Sequence, residues 1–169
     1  MSRSFQLTFE SPASVSQILA ALGDEAYWHA RLESFGGGTA SLTSLHVDAN
    51  GVVAADVTVS LLRERLPRLI TQLHPGGLAM NRSEKWTPAA DGGVRGEIRV
   101  AVAGAPLSAV GTAELLPLDE GGSRLTYATT VTVKIPVVGG KIESYVGSRA
   151  ADDIGAIQHF TTRWITGRS

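Results

Sequence analysis

The chain has 169 residues, 43% of them hydrophobic and 18% charged, a composition typical of a folded protein with one core and not of a disordered chain. Its formal net charge of −1 argues against a general binder of nucleic acids or anionic membranes, which would carry an excess of basic residues. It has no cysteine, which excludes disulfides, thiol catalysis and cysteine-bound zinc.

The first predicted element is a half-buried strand over residues 3–10, where apolar and polar side chains alternate. Its apolar face consists of Phe5, Leu7 and Phe9.

Two short helices should follow this strand. Ser11 is the predicted N-cap of the first helix, with Pro12 at its first helical position. Gly23 should end that helix, and Asp24 can cap a second one that reaches about Phe35.

From residue 39 to residue 135 the apolar residues recur with a period of two, which predicts a meander of about six antiparallel strands. Asn50-Gly51 is a strong hairpin turn signal, and further turns are expected near Asp91-Gly92-Gly93 and across residues 119–122. The side chains expected on the inner face of the central strands are mostly small or medium: Val53, Ala55, Val57, Val100, Val102, Ala109, Gly111 and Ala113.

Residues 63–77 interrupt the meander. Their apolar residues have helical spacing, and Pro75-Gly76 would end a short amphipathic helix. Long connections of this kind are often lids or binding loops. We therefore predict that this segment gates a site, through Leu69, Ile70 and Leu73.

The last predicted element is a helix from about Gly139 to Thr166, about 40 Å long and able to cross a whole sheet. One stripe of this helix is apolar and contains Ile142, Val146, Ala150, Ile157, Phe160 and Trp164.

The glycine pair before Lys141 is not a phosphate-binding loop, because the hydroxyl residue and the outer glycine of that motif are missing. We predict instead a flexible turn at Gly139 and Gly140, which forms part of the same gate.

Helices segregated on one face of an antiparallel sheet predict an α+β fold with two layers, in one domain over residues 1–169. The order of elements, with "KIPVVGGKIE" leading into the last helix, resembles the helix-grip fold of the START-like (SRPBCC) superfamily, which includes polyketide cyclase/dehydrase-like proteins and the birch-pollen-allergen type. "SEKW" and "GAPLSAVGTAEL" resemble an uncharacterised actinobacterial group within it. The resemblance implies a curved sheet of about seven strands and an apolar ligand between the sheet and the helix.

Small inward side chains on a curved sheet leave space, and an apolar space with a few polar groups is the default ligand site. The alternative is that the helix sits deeper and closes this space. The predicted ligand contacts are Trp28, Val57, Trp86, Val100, Val102, Ala113, Tyr127, Val146, Asp153, Ile157 and Phe160.

Asp153 falls within the apolar stripe of the last helix, so its carboxylate is expected to face the sheet. A buried carboxylate must be paired, protonated or in contact with water. It is either a polar ligand contact or general acid, or, as we favour, it is paired with Arg149 or turned outward by a small kink near Gly155.

Four charged residues lie on the predicted central strands: Arg82, Glu84, Glu97 and Arg99. Cross-strand pairs on the solvent face are the simpler interpretation, although a shift of one residue would turn these side chains into the cavity as polar anchors. The four histidines lack the spacing of a metal site, and no GxSxG motif is present. We predict no catalytic residue, metal or cofactor.

The leading hypothesis is a non-catalytic binder or carrier of a small apolar molecule, such as a lipid or polyketide-like compound. The alternatives are a cyclase- or dehydratase-like enzyme acting in the same cavity, and a protein-interaction module without a ligand. We expect a cytoplasmic protein with no nucleic-acid partner and no stable membrane insertion, because no apolar run approaches the length of a spanning helix and no secretory signal is present. The sequence carries no signal for an oligomeric state.

Overall fold

The computed structural model describes residues 2–36, 39–61, 78–103, 106–135 and 139–167. Within these residues, the strands are β1 (Ser2–Ser11), β2 (Ala40–Val47), β3 (Val53–Leu61), β4 (Leu78–Pro88), β5 (Val94–Ala103), β6 (Leu107–Pro117) and β7 (Ser123–Val133). The helices are α1 (Val15–Leu22), α2 (Glu25–Gly36) and α3 (Gly139–Thr166). The predicted gate residues Leu69, Ile70 and Leu73 lie outside the described residues.

The seven strands form one antiparallel sheet in the order β1-β7-β6-β5-β4-β3-β2. The long helix α3 packs on β1 and β7, and also contacts α1 and α2. This is the predicted α+β helix-grip arrangement. Three hairpins of the sheet turn at Gly51, Gly92 and Gly121, where φ is 81°, 82° and 99°, backbone conformations that glycine adopts without strain.

The start of α1 differs from the prediction. Ser11 is the last residue of β1, and the N-cap is Ser14, whose hydroxyl accepts a hydrogen bond from the Gln17 N–H at 3.1 Å. The Gln17 side chain accepts the Ser14 N–H in return, which completes a capping box. Asp24 acts as predicted at the next helix, because its carboxylate accepts the N–H of Ala26.

The inward face of α3 is also rotated from the predicted stripe, and Asp153 is exposed rather than directed at the sheet. The helix approaches β1 through glycines: Phe5 packs against Gly147, and Phe9 lies beside Gly155. Its buried residues are Gly139, Ile142, Glu143, Gly147, Ile154 and Thr161. Since each residue turns a helix by about 100°, Asp153 lies at the edge of the buried face when its neighbour Ile154 points inward.

The glycine pair belongs to the helix rather than to a turn before it. Gly139 is buried, and its N–H donates to the carbonyl oxygen of Ile135 at 3.0 Å. A Cβ atom at Gly139 would lie 2.8 Å from the Val133 carbonyl oxygen, whereas one at Gly140 would meet nothing within 4 Å. Gly139 is therefore required for a close approach between α3 and the end of β7. None of the described helices has the length and apolar character needed to cross a membrane.

We expect Gly139→Ala to lower the free energy of unfolding by about 1 kcal/mol, because the contact with the Val133 carbonyl outweighs the gain in helix propensity. Gly140→Ala is the matched control, and it should leave stability unchanged or raise it. Urea denaturation of the two variants measures both effects. Equal stability of the two variants would contradict the close approach.

Candidate ligand-binding site

A cavity of about 30 Å³ lies between the sheet and the three helices. This volume has room for about two water molecules and is far below the few hundred Å³ of a typical small-molecule pocket. Its apolar lining residues are Ile18, Leu22, Ile98, Leu115, Leu125, Ile154 and Ile157. The lining residues that carry polar groups are Tyr27, Arg31, Arg82, Glu84, Trp86, Tyr127, Gln158 and Thr161.

Aromatic side chains fill much of the space that small residues were expected to leave. The ring of Trp86 lies over Gly96, so closely that a Cβ atom there would be 2.6 Å from the ring. The hydroxyl of Tyr127 lies over Gly111 in the same way, at 2.5 Å from such an atom. The glycines on the sheet therefore accommodate the protein's own rings, which explains the small cavity.

Glu84 is the centre of a buried polar cluster. Its Oε2 accepts hydrogen bonds from Nη2 of Arg31 at 2.7 Å and Nε of Arg82 at 2.8 Å, and its Oε1 accepts from Nε1 of Trp86 at 3.0 Å. Burial raises the pKa of the Glu84 carboxyl, but the two guanidinium groups outweigh burial and lower this pKa to about 2. Glu84 is therefore ionised inside the protein.

Arg82 and Glu84 were expected to form cross-strand pairs on the solvent face of the sheet, but the cluster faces inward. Arg82 and Glu84 share the inner face of β4 with Trp86, and Glu84 lies opposite the buried Ile98 of β5. Glu97 and Arg99 are exposed on the outer face. Two of the four charged strand residues thus line the cavity.

Arg31 reaches the cluster from α2. Its guanidinium carbon lies 4.5 Å from the centre of the Trp28 ring, a cation–π geometry. Burial lowers the pKa of Arg31, but the contact with Glu84 outweighs burial and raises it overall. Nε1 of Trp28 donates to the carbonyl oxygen of Leu22 at 2.6 Å, so Trp28 fixes the position of Arg31.

A chain of hydroxyl groups on the cavity wall joins α2 to α3. The Thr161 hydroxyl donates to the Ile157 carbonyl oxygen at 2.8 Å. Because that hydroxyl has a single proton, the hydroxyl of Tyr27 must donate to Thr161 Oγ1, at 2.6 Å. On the sheet, burial raises the pKa of the Tyr127 hydroxyl, which keeps it protonated at neutral pH.

The predicted ligand contacts occupy several environments. Those on the cavity wall are Trp86, Tyr127 and Ile157. Those in the main core, or packed against it, are Trp28, Val57, Val100, Ala113 and Phe160. Val102 and Val146 belong to a second core cluster, and Asp153 is exposed. No group of three or more His, Asp or Glu side chains in the described part of the chain could hold a metal ion.

Several residues of the cavity wall were not among the ligand contacts predicted from the sequence. Alternation along β4 could have found Arg82 and Glu84, because an inward Trp86 requires both to face inward. No pattern marked Tyr27 and Arg31 on α2 or Gln158 on α3, since their roles depend on how the helices pack.

The seven-stranded sheet, the long helix across it and the cavity between them define a protein of the helix-grip class. An aromatase/cyclase from Streptomyces sp. R1128 is similar over 99% of this chain and 96% of its own, with a TM-score of 0.60 and 8% identity. Norcoclaurine synthase from Thalictrum flavum, in complex with dopamine and hydroxybenzaldehyde, is similar over 100% of this chain and 89% of its own, with a TM-score of 0.57 and 12% identity. At these low sequence identities, the structural similarity establishes a shared fold and nothing further.

Residues 6–165 match a family described as a protein of unknown function, DUF2505, and the chain belongs to this family. An uncharacterized protein of Mycobacterium tuberculosis is 37% identical over 172 residues, which cover 98% of each chain. An uncharacterized protein of Mycobacterium bovis has the same identity and coverage. These actinobacterial relatives agree with the resemblance noted in the sequence.

Proposed function

We propose that the protein binds a small organic molecule between the sheet and α3. The observation that carries this proposal is the lining of the cavity, which combines apolar side chains with a few polar groups. Burial of the ligand's apolar surface against the apolar lining residues would provide the driving force, at roughly 25 cal/mol per Å² before the costs of binding. The complex of norcoclaurine synthase with two small organic molecules shows that another protein of this fold binds such compounds, and this supports the proposal.

Such a ligand requires the cavity to enlarge. Ile157 and Gln158 of α3 are half-buried on its wall, so an outward movement of this part of the helix would open it with less loss of packing than a movement of the sheet. The ligand would then replace contacts between α3 and the sheet.

The protonation states favour binding over acid–base catalysis. Glu84 has a pKa of about 2 and already accepts three hydrogen bonds, and the pKa of Tyr127 is raised. Neither group changes its protonation near neutral pH, where general acid–base catalysis is most efficient. Asp153, the acid suggested by the sequence, is exposed.

The surface gives less support to a protein-interaction module. Large apolar side chains that are exposed in the described residues lie on four different elements: Phe35, Val47, Val110 and Tyr145. Single exposed apolar residues are ordinary on a folded protein.

We expect Ile157→Trp to abolish ligand binding, because the indole would occupy the cavity. Ala156→Trp places the same side chain at the neighbouring exposed position and is the matched control. Native mass spectrometry, after equilibration with an organic extract of mycobacterial cells, should show a bound small molecule on the parent chain and the control but not on Ile157→Trp. A ligand retained by Ile157→Trp, or absent from the parent chain, would contradict the proposal.

A further inference from the structure

The buried cluster carries an excess of positive charge. Two guanidinium groups, from Arg31 and Arg82, share the single carboxylate of Glu84. All three groups are ionised, since the pKa of Glu84 is about 2, so the cluster has a net charge of +1. An unbalanced charge in a protein interior is costly, and an anion placed beside it removes that cost.

Arg82 is the member of the cluster that is available to an anion. Its side chain is 21% exposed, against 6% for Arg31, which is enclosed between Glu84 and the Trp28 ring. Its Nε donates to Glu84, which leaves four of its five N–H donors on the two terminal nitrogens. These nitrogens belong to a residue of the cavity wall.

Asp153 is the carboxylate of α3 that acts on Arg82. It precedes the cavity residue Ile154 and lies close enough to Arg82 and Arg149 for both to affect its ionisation. Desolvation nevertheless raises the pKa of Asp153 overall, so its carboxylate is poorly stabilised at this position. It makes no ion pair with Arg82 within 4.0 Å among the described residues. Asp153 is thus a poorly stabilised negative charge near Arg82.

We propose that the ligand is an apolar monocarboxylic acid whose carboxylate binds the terminal nitrogens of Arg82. The planar guanidinium matches the two oxygens of a carboxylate, and hydrogen bonds between such charged groups are about twice as strong as neutral ones. The hydrocarbon part of the acid lies against the apolar residues of the cavity wall. This inference rests on the proposed binding function and adds the chemical class of the ligand.

Isothermal titration calorimetry with octanoate, 1-octanol and octylamine tests the inference, because the three probes share one chain and differ in the head group. Octanoate should bind at least about tenfold more tightly than octanol, and octylamine most weakly. Arg82→Gln should reduce octanoate binding to the level of octanol. Arg82→Lys, which keeps the charge but loses the planar fork, should retain part of the preference.

Asp153→Asn removes a negative charge near Arg82 that would repel a bound carboxylate. The variant should therefore bind octanoate severalfold more tightly, whereas weaker binding would contradict a carboxylate at Arg82. Arg99→Gln, on the exposed face of β5, is the control and should change nothing. Equal binding of octanol and octanoate to the parent chain would overturn the carboxylate and leave the proposed function standing. If neither octanol nor octanoate binds, both the inferred carboxylate group and the proposed binding function are overturned.

Discussion

Glu84→Gln is expected to lower the free energy of unfolding by about 3 kcal/mol at neutral pH. Removal of one partner from a buried ion pair leaves the other charges uncompensated, which typically costs this much or more. The variant leaves the Arg31 and Arg82 guanidinium groups with a neutral amide between them. The lowering of the Glu84 pKa from 4.5 to about 2 gives the same order of magnitude by linkage.

The pH dependence gives this prediction a second readout. A carboxyl whose pKa is lowered on folding stabilises the protein above its unfolded pKa, and this contribution is lost as the pH falls toward the folded value. For Glu84 the loss takes place between pH 4.5 and about 2. The difference in stability between the parent chain and Glu84→Gln should therefore shrink by about 2 kcal/mol between neutral pH and about pH 3.

Glu97→Gln is the matched control, because Glu97 is exposed on the outer face of the neighbouring strand, opposite Lys85. Its effect should stay within about 0.5 kcal/mol, as for most surface substitutions. Urea denaturation at several pH values measures both variants. A loss for Glu84→Gln that is as small as that for Glu97→Gln, or that does not change with pH, would show that Glu84 is not held ionised by the two arginines.

The strands and hairpins of this protein could be predicted because their signals are local. Alternation placed Phe5, Leu7 and Phe9 on one face of β1. Glycines mark the hairpin turns, because a positive φ is needed there. The helix start at Ser14 was less clear, since Ser11 and Ser14 both carry a hydroxyl that can cap. The choice depends on β1, which pairs with β7 as far as Ser11 and so delays the helix.

The inward face of α3 could not be predicted from apolar residues alone. Gly147 contributes no side chain, yet it marks the closest approach to the sheet because Phe5 occupies the space beside it. Glu143 is polar but fully buried, and its carboxylate accepts the N–H of Val133 at 2.9 Å. An apolar stripe counts neither residue, and its predicted direction was therefore rotated toward Asp153.

Three residues of the cavity wall could be predicted from the sequence, whereas its polar chemistry could not. Trp86, Tyr127 and Ile157 reach the cavity, as the alternation of β4 and β7 and the helical spacing of α3 indicate. The pairing of Arg31 with Glu84 joins residues 53 positions apart in the chain, and only the packing of α2 over the sheet brings them together. Local patterns contain no information on such a contact.

Gly96→Ala is expected to lower the free energy of unfolding by about 2 kcal/mol, the usual range for an overpacked core. The new methyl group would lie 2.6 Å from the Trp86 ring, which is buried and held by its hydrogen bond to Glu84. The ring cannot move away without losing that bond. The methyl group therefore disturbs the polar cluster as well as the packing.

A double-mutant cycle with Trp86→Leu identifies the cause, and urea denaturation of the four proteins measures it. Without the indole ring, the methyl group at residue 96 meets no ring, and Gly96→Ala should then cost nothing or stabilise, since glycine inside a strand is less favourable than alanine by about 0.5–1 kcal/mol. The coupling energy should be about 2 kcal/mol. An equal cost of Gly96→Ala in both backgrounds would mean that the Trp86 ring does not depend on the glycine beneath it. The small size of the cavity would then need another explanation, because we attribute it to the close approach of that ring to the sheet.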